Sequence, residues 1–286
     1  MAPSQTQAQK QPTAAQLAQI DDFYIPADEE DWNDLVSRKT GLRWKTIHTI
    51  PADWVTSASE ATEAQYAMIR SYSPPMSRAT SFKEKSHRFG FTNQALDAAA
   101  DVLAASAEWS RYLRLLDTQD SIDDIWETSD KWPGSFSTVR RLQEQTMTVC
   151  GVRDDEQMGQ LPDAEDEATP NAAAIILLQN ISHLTYSKLE WILNRVHFVS
   201  QFNQAKVNAF TDGALRSKRT MDIFAIVEVK KRVFWIKTET ILMQEACEVA
   251  GWLMSCHGQM AHFNGHFLLI SQDRHELFIT FVPFEE

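Results

Sequence analysis

Residues 212–232 read DGALRSKRTMDIFAIVEVKKR, and the way this stretch turns back on itself decides the fold. Asp222 to Lys231 is rich in Ile, Val and Phe and reads as a strand; Ala205 to Arg216 reads as the strand before it, with Ser217 to Thr220 as turn. A turn centred near Thr220 gives an antiparallel register in which Asp212 lies opposite Glu228. Opposed residues hold their Cβ atoms about 4.5–5.5 Å apart, close enough for two carboxylates to share a divalent cation. Glu228 and Lys230, two residues apart, project from one face. Asp222 shares that face, but six residues at ~3.3 Å each place it about 20 Å from Glu228 and exclude it as a partner. Glu-x-Lys alone carries little, since roughly one such triplet is expected by chance in a chain of this size. The register across the turn gives it weight. The plain alternative is an exposed Asp beside a solvated surface Glu–Lys pair.

Outward from this hairpin, Glu190 to Ser200 reads as a preceding strand joined through Asn203-Gln204, and a helix capped by Thr169 with Pro170 in its first turn comes before it. A helix from Glu239 to Cys256 follows, then strands Phe267 to Ser271 and Glu276 to Val282. Helix, three strands, helix, two strands is an α/β (α+β) order, with an antiparallel meander in a mixed sheet flanked by helices. At 100° per residue, Leu242, Ala246, Val249, Leu253 and Cys256 form the expected buried stripe of the second helix. Glu245 then lies beside Ile241 and Trp252 as a buried carboxylate, and Gln244 lies on the polar side with Glu248. Seven of the 11 basic residues beyond position 170 (Arg216, Lys218, Arg219, Lys230, Lys231, Arg232 and Lys237) cluster around the two strands that carry the acids. They read either as a phosphate-backbone track or as solvated turns. Phe234 and Trp235 suit base stacking or a core equally.

The run from Asp212 to Arg232, with ILMQEACEVAGWL and FLLISQDRHELFITF after it, resembles the PD-(D/E)XK nuclease superfamily, and within it the nuclease-like proteins abundant in filamentous fungi. The resemblance covers roughly residues 163–286. It implies a restriction-endonuclease-like core that binds Mg²⁺ or Mn²⁺ and cuts nucleic acid, DNA before RNA. It matches Asp212 and Glu228 to the metal-binding acids, Lys230 to the catalytic lysine, and Gln244 to an auxiliary glutamine on the following helix. Helical geometry nominates Glu245 instead as a further metal ligand, and both stay open. Arg216, Lys218, Arg219, Lys231 and Arg232 are the candidate nucleic-acid contacts. Thr211 stands where the name-giving proline would be, a departure that removes no ligand.

The chain has 286 residues, 43% hydrophobic and 23% charged, which excludes a wholly disordered chain, a collagen and a coiled coil. Net charge is −12, and residues 171–286 balance 11 basic against 11 acidic residues, so all the excess acidity lies before position 171. Such acidity argues against non-specific nucleic-acid affinity for the whole chain. The expected organisation is a disordered tail over 1–19, a mostly helical region over 20–150, an acidic linker over 151–170 and the nuclease-like domain over 171–286. In the N-terminal region Trp32, Leu35, Trp44, Ile47, Ile50 and Trp54 are candidate anchors, and Thr92 to Leu116 and Ser137 to Thr148 read as helices. No apolar stretch approaches the roughly 20 residues that span a bilayer, and the first residues lack a signal-peptide core. Three cysteines read as reduced thiols in an intracellular protein of the nucleus or cytoplasm. Cys256, His257, His262 and His266 are a rival zinc set, weakened by the adjacency of its first pair. Two functions follow from the sequence: a metal-dependent nuclease, or a nuclease-like fold kept for binding, with the acidic N-terminal region covering the site or engaging a protein.

Overall fold

The computed structural model describes residues 13–147, 167–202, 205–230, 238–255, 262–273 and 276–284. Its helices are α1 (Ala14–Leu17), α2 (Glu29–Ser37), α3 (Glu63–Ile69), α4 (Phe82–Lys85), α5 (Asn93–Ala105), α6 (Ala107–Thr118), α7 (Ser137–Met147), α8 (Ala168–His183) and α9 (Glu239–Ser255). The strands are β1 (Leu189–Ile192), β2 (Val196–Phe202), β3 (Ala205–Thr211), β4 (Gly213–Ser217), β5 (Ile223–Lys230), β6 (His266–Asp273) and β7 (Glu276–Pro283). Local chemistry sets several starts: Thr13, Asp28, Thr62, Thr92 and Ser106 each accept the backbone N–H three residues on. Ser106 thereby divides the expected helix 92–116 into α5 and α6, and no residue of α5 is buried. The helix expected from Thr169 opens at Ala168. Pro170 is tolerated there because the first N–H groups of a helix lack partners.

The five-stranded sheet runs β1-β4-β5-β6-β7, and β2 and β3 form a separate two-stranded ribbon. Within the five-stranded sheet, β5 and β6 pair parallel and the other described pairs are antiparallel. A parallel pair needs a long connection, which here contains α9. The expected strands 190–200 and 205–216 are each interrupted, the first at 193–195 and the second at Asp212. Their inner halves, β1 and β4, join the sheet, and their outer halves, β2 and β3, leave it as the ribbon.

Two compact units are present: one takes Met1–Pro75, Phe198–Ala209 and Thr238–His257, the other Met76–His197, Phe210–Lys237 and Gly258–Glu286. This division cuts the chain at other places than the expected 151–170 linker, of which 151–166 lies outside the described residues. In the first unit α1 lies within the expected tail, and Ala18 and Ile20 join Trp32, Leu35, Ile50, Ala67 and Val207 in one core. Trp54 and Ile47 pack against that core, whereas Trp44 is 84% exposed and is no anchor.

Helix α9 belongs to this unit; of the expected stripe Val249 is buried and Cys256 lies outside the described residues, but the other buried positions fall elsewhere on the helix. Ile241, Glu245, Glu248 and Trp252 are buried on one side and Met243, Cys247 and Gly251 on another, while Leu242, Ala246 and Leu253 are only partly covered. The cause is packing on more than one flank. A Cβ on Gly251 would come within 2.9 Å of the Ala209 Cβ, so the ribbon lies tight against it. Gln65 of α3 donates toward Cys247 Sγ at 3.8 Å.

In the second unit α8 separates two apolar layers. Ala174 and Ile175 meet Trp191, Ala225, Val227, Val229, Leu268 and Ile270 of the sheet. Leu177 meets Tyr112, Phe136 and Val139 from α6, α7 and the turn before α7. Gly213 is required by this contact: a Cβ there would lie 2.6 Å from both Ile175 Cδ1 and the Ile192 carbonyl oxygen. Among the described residues no helix is long and apolar enough to cross a membrane.

Candidate functional site

Alternation along β5 gives the site its face. Ala225, Val227 and Val229 point into the layer under α8, so Ile226, Glu228 and Lys230 point the opposite way. The parallel register sets Glu228 beside Ser271 and Lys230 beside Asp273 on β6. On the other flank the ladder pairs Gly213 with Val227, Ala214 with Ile226 and Leu215 with Ala225, which is the register of a turn centred on Thr220. The ladder ends at Gly213: the Asp212 N–H donates to the Val227 carbonyl at 2.9 Å, so Asp212 shares the partner of Gly213 and sits beside Glu228 rather than directly across from it as the turn arithmetic expects.

Both acids are buried, Asp212 with 5% of its surface exposed and Glu228 with 2%. Asp212 Oδ2 accepts the Val229 N–H at 3.0 Å, its Oδ1 accepts from the Arg195 guanidinium at 3.2 Å, and its carbonyl accepts from Asn171 Nδ2 at 3.1 Å. Lys230 Nζ lies 2.5 Å from Glu228 Oε1 and 3.7 Å from Glu167 Oε1, at the start of α8. Two carboxylates, two cations and a helix-start glutamate therefore gather where β4 begins and β5 ends.

The donor set fits a hard divalent cation. Mg²⁺ and Mn²⁺ are held by one or two carboxylates with water and phosphate oxygens completing the shell, and both acids here stand at neighbouring positions of paired strands. Among the described residues no group of three or more His, Cys, Asp or Glu is assembled around a common point. The rival zinc set is not supported by its described members: His262 stacks on Phe224 with centroids 3.9 Å apart, and His266 Nδ1 lies 3.0 Å from the Phe263 carbonyl oxygen. Cys256 and His257 lie outside the described residues.

The remaining candidates are on other elements. Gln244 and Glu245 are on α9 in the first unit, where Gln244 Nε2 donates to Glu248 Oε1 at 2.7 Å and Glu245 is buried. Arg216, Lys218 and Arg219 occupy the β4–β5 hairpin end. Arg216 pairs with Glu190 at 2.8 Å and Lys218 donates to the Ser187 carbonyl. Four steps along the strand separate Asp212 from Arg216, about 13 Å, so these bases do not surround the acids. Lys231, Arg232, Phe234, Trp235 and Lys237 lie outside the described residues. In the first unit, Cys247 is fully enclosed and burial pushes its thiol pKa up, which marks it as an inert packing residue.

Sequence reasoning missed Arg195, Glu167 and Asn171. Arg195 was within reach: folding the ribbon about Asn203-Gln204 brings residue 195 against residue 212. Glu167 and Asn171 belong to a helix start whose direction no local pattern specifies. In comparisons with protein-family models, with curated proteins and with solved structures, the chain matches none.

Proposed function

We propose that this protein is a divalent-metal-dependent phosphodiesterase acting on nucleic acid, built on a restriction-endonuclease-like core, with Asp212 and Glu228 as metal ligands and Lys230 as the catalytic cation. The observation that carries the reading is the burial of both carboxylates at one strand edge, with Lys230 in contact with Glu228. The order helix, three antiparallel strands, crossover and parallel strand is the second support.

When bound, the cation would supply charge neutralisation at the phosphate and a water acidified toward neutral pH. The chain's own groups do the rest. The Val229 N–H fixes one oxygen of Asp212, so that carboxylate is oriented before any ligand arrives. Lys230 donates to Glu228 and presents an ammonium for the charge that develops on the phosphoryl oxygens. Glu167 also pairs with the same ammonium, at 3.7 Å. Gln244 and Glu245 enter as auxiliary candidates to be tested by substitution.

One observation favours the second reading, a nuclease-like fold that binds without cutting. Asp212 already pairs with Arg195 and Glu228 with Lys230, so each of these two carboxylates has a cation from the chain itself. The experiment that separates the two is cleavage of supercoiled plasmid and of labelled single-stranded oligonucleotides with Mg²⁺, Mn²⁺ or EDTA. The proposal expects metal-dependent cutting that falls by at least about 100-fold in Glu228→Ala and in Lys230→Ala. A folded wild type that cuts nothing overturns it in favour of the binding module.

A further inference from the structure

Past the sheet, the strands around Asp212 continue as the ribbon, and its outward side carries a second constellation beside the acids. Arg195 immediately precedes β2 and Asp212 immediately follows β3, and their ion pair is one rung across the two strands. Two residues further along each strand, His197 and Phe210 lie ring over ring, with centroids 4.2 Å apart and planes only 3° apart. This rung faces water. His197 is exposed, Phe210 keeps 49% of its surface accessible, and the Arg195 side chain keeps 66%.

Single exposed apolar residues are ordinary and call for nothing. This one is held flat against an imidazole, next to a guanidinium, one rung from a buried carboxylate of the candidate site. A phenylalanine retained in water at that place contributes little to stability through burial. Its aromatic surface, with the imidazole beside it, is what a planar ligand can use.

We infer that His197, Phe210 and Arg195 form a stacking subsite for an unpaired nucleobase, which makes single-stranded nucleic acid the substrate class of the Asp212–Glu228–Lys230 site. The inference rests on reading that site as a phosphodiesterase. Stacking on aromatic rings suits any base, because each has a π-face, but in a duplex those faces are already covered by neighbouring pairs. A guanidinium carries five N–H donors and the bond to Asp212 uses one, so Arg195 can also meet a phosphate oxygen of the stacked nucleotide. Arg195, with 66% of its side chain exposed, is the cation that a phosphate would meet at this edge.

The test is fluorescence anisotropy of the full chain with a labelled oligothymidine, and with a blunt duplex of the same length, in EDTA so that nothing is cut. The wild type is expected to bind the single strand more tightly than the duplex. Phe210→Ala and His197→Ala are each expected to weaken single-strand binding about tenfold, while Phe210→Trp, which keeps a stacking face, retains it. Equal binding by wild type and Phe210→Ala, duplex binding as tight as single-strand binding, or no binding of either oligonucleotide overturns the subsite. A parallel cleavage assay in Mn²⁺ keeps the two proposals apart. Cutting without any single-strand preference removes the subsite and leaves the phosphodiesterase, and single-strand binding lost in Phe210→Ala without cutting supports the subsite and removes the enzyme.

Discussion

On one face of β5 and β6, Ala225, Val227, Val229, Leu268 and Ile270 meet Ala174 and Ile175 of α8. On the other, Glu228 and Lys230 of β5 stand beside Ser271 and Asp273 of β6, and these four follow Ile226 and Leu269 toward the C-terminal strand ends. Both sets come from alternate residues of the same two strands, and both are largely buried. The apolar set gains free energy from area alone, about 25 cal/mol for each Å² removed from water. The polar set does not: removing charges from water costs more than a pair commonly returns, and apolar isosteres are often more stable by about 1–4 kcal/mol. The first face accounts for why the sheet holds together. The second is kept at a cost to stability, and the chemistry proposed for it accounts for that.

Four variants probe this contrast, in order of their effect on stability. Val227→Asp places an unpaired charge in the layer under α8. The several kcal/mol involved approach the ~5–15 kcal/mol that holds a domain together, so the expected result is loss of a cooperative melting transition by circular dichroism. A well-folded variant would mean that this layer is wetter than its burial implies. Next comes Gly213→Ala, whose methyl group would meet Ile175 and the Ile192 carbonyl at 2.6 Å. It should cost about 1–3 kcal/mol in denaturant titration, and no change would show that β4 can move away from α8.

The polar face should behave in the opposite sense. Glu228→Gln combined with Lys230→Met removes both charges and preserves shape, so the double variant is expected to unfold at the same denaturant concentration as wild type or a higher one. A loss above about 2 kcal/mol would make the pair a structural device and erase the contrast between the faces. The smallest effect belongs to Arg219→Ala. Exposed at the hairpin end, far from Asp212, it should stay within about 0.5 kcal/mol of wild type and bind the labelled oligothymidine within about twofold of it. A large loss of binding would restore the hairpin bases as part of the nucleic-acid surface.

The register from Gly213 to Leu215 was legible because a turn of fixed composition leaves few ways to pair two alternating strands; the bulge between Leu215 and Arg216 and the bond from the Asp212 N–H to Val227 went unseen. The breaks at 193–195 and at Asp212 were not legible. The buried alternation of β2 and β3 continues on the far side of each break, and a period of two does not say which sheet a strand joins. The covered sides of α9 were misread for a related reason. A helix apolar on most sides has no single stripe, so its periodicity names a face only when one neighbour covers it. Within the site, Asp212, Glu228 and Lys230 follow from local spacing, whereas Glu167 and Asn171 arrive from α8, more than 40 residues before Asp212, through packing that no window of sequence contains.

The most direct test of the central claim is the melting temperature of wild type, Asp212→Asn and Glu228→Gln with and without Mn²⁺. A ligand that binds only the folded state stabilises it by about 2.7 kcal/mol at a hundredfold excess over its Kd. The account predicts that Mn²⁺ raises the melting temperature of the wild type by several degrees and leaves both variants unmoved. An identical response in all three proteins, or none in the wild type, would contradict it.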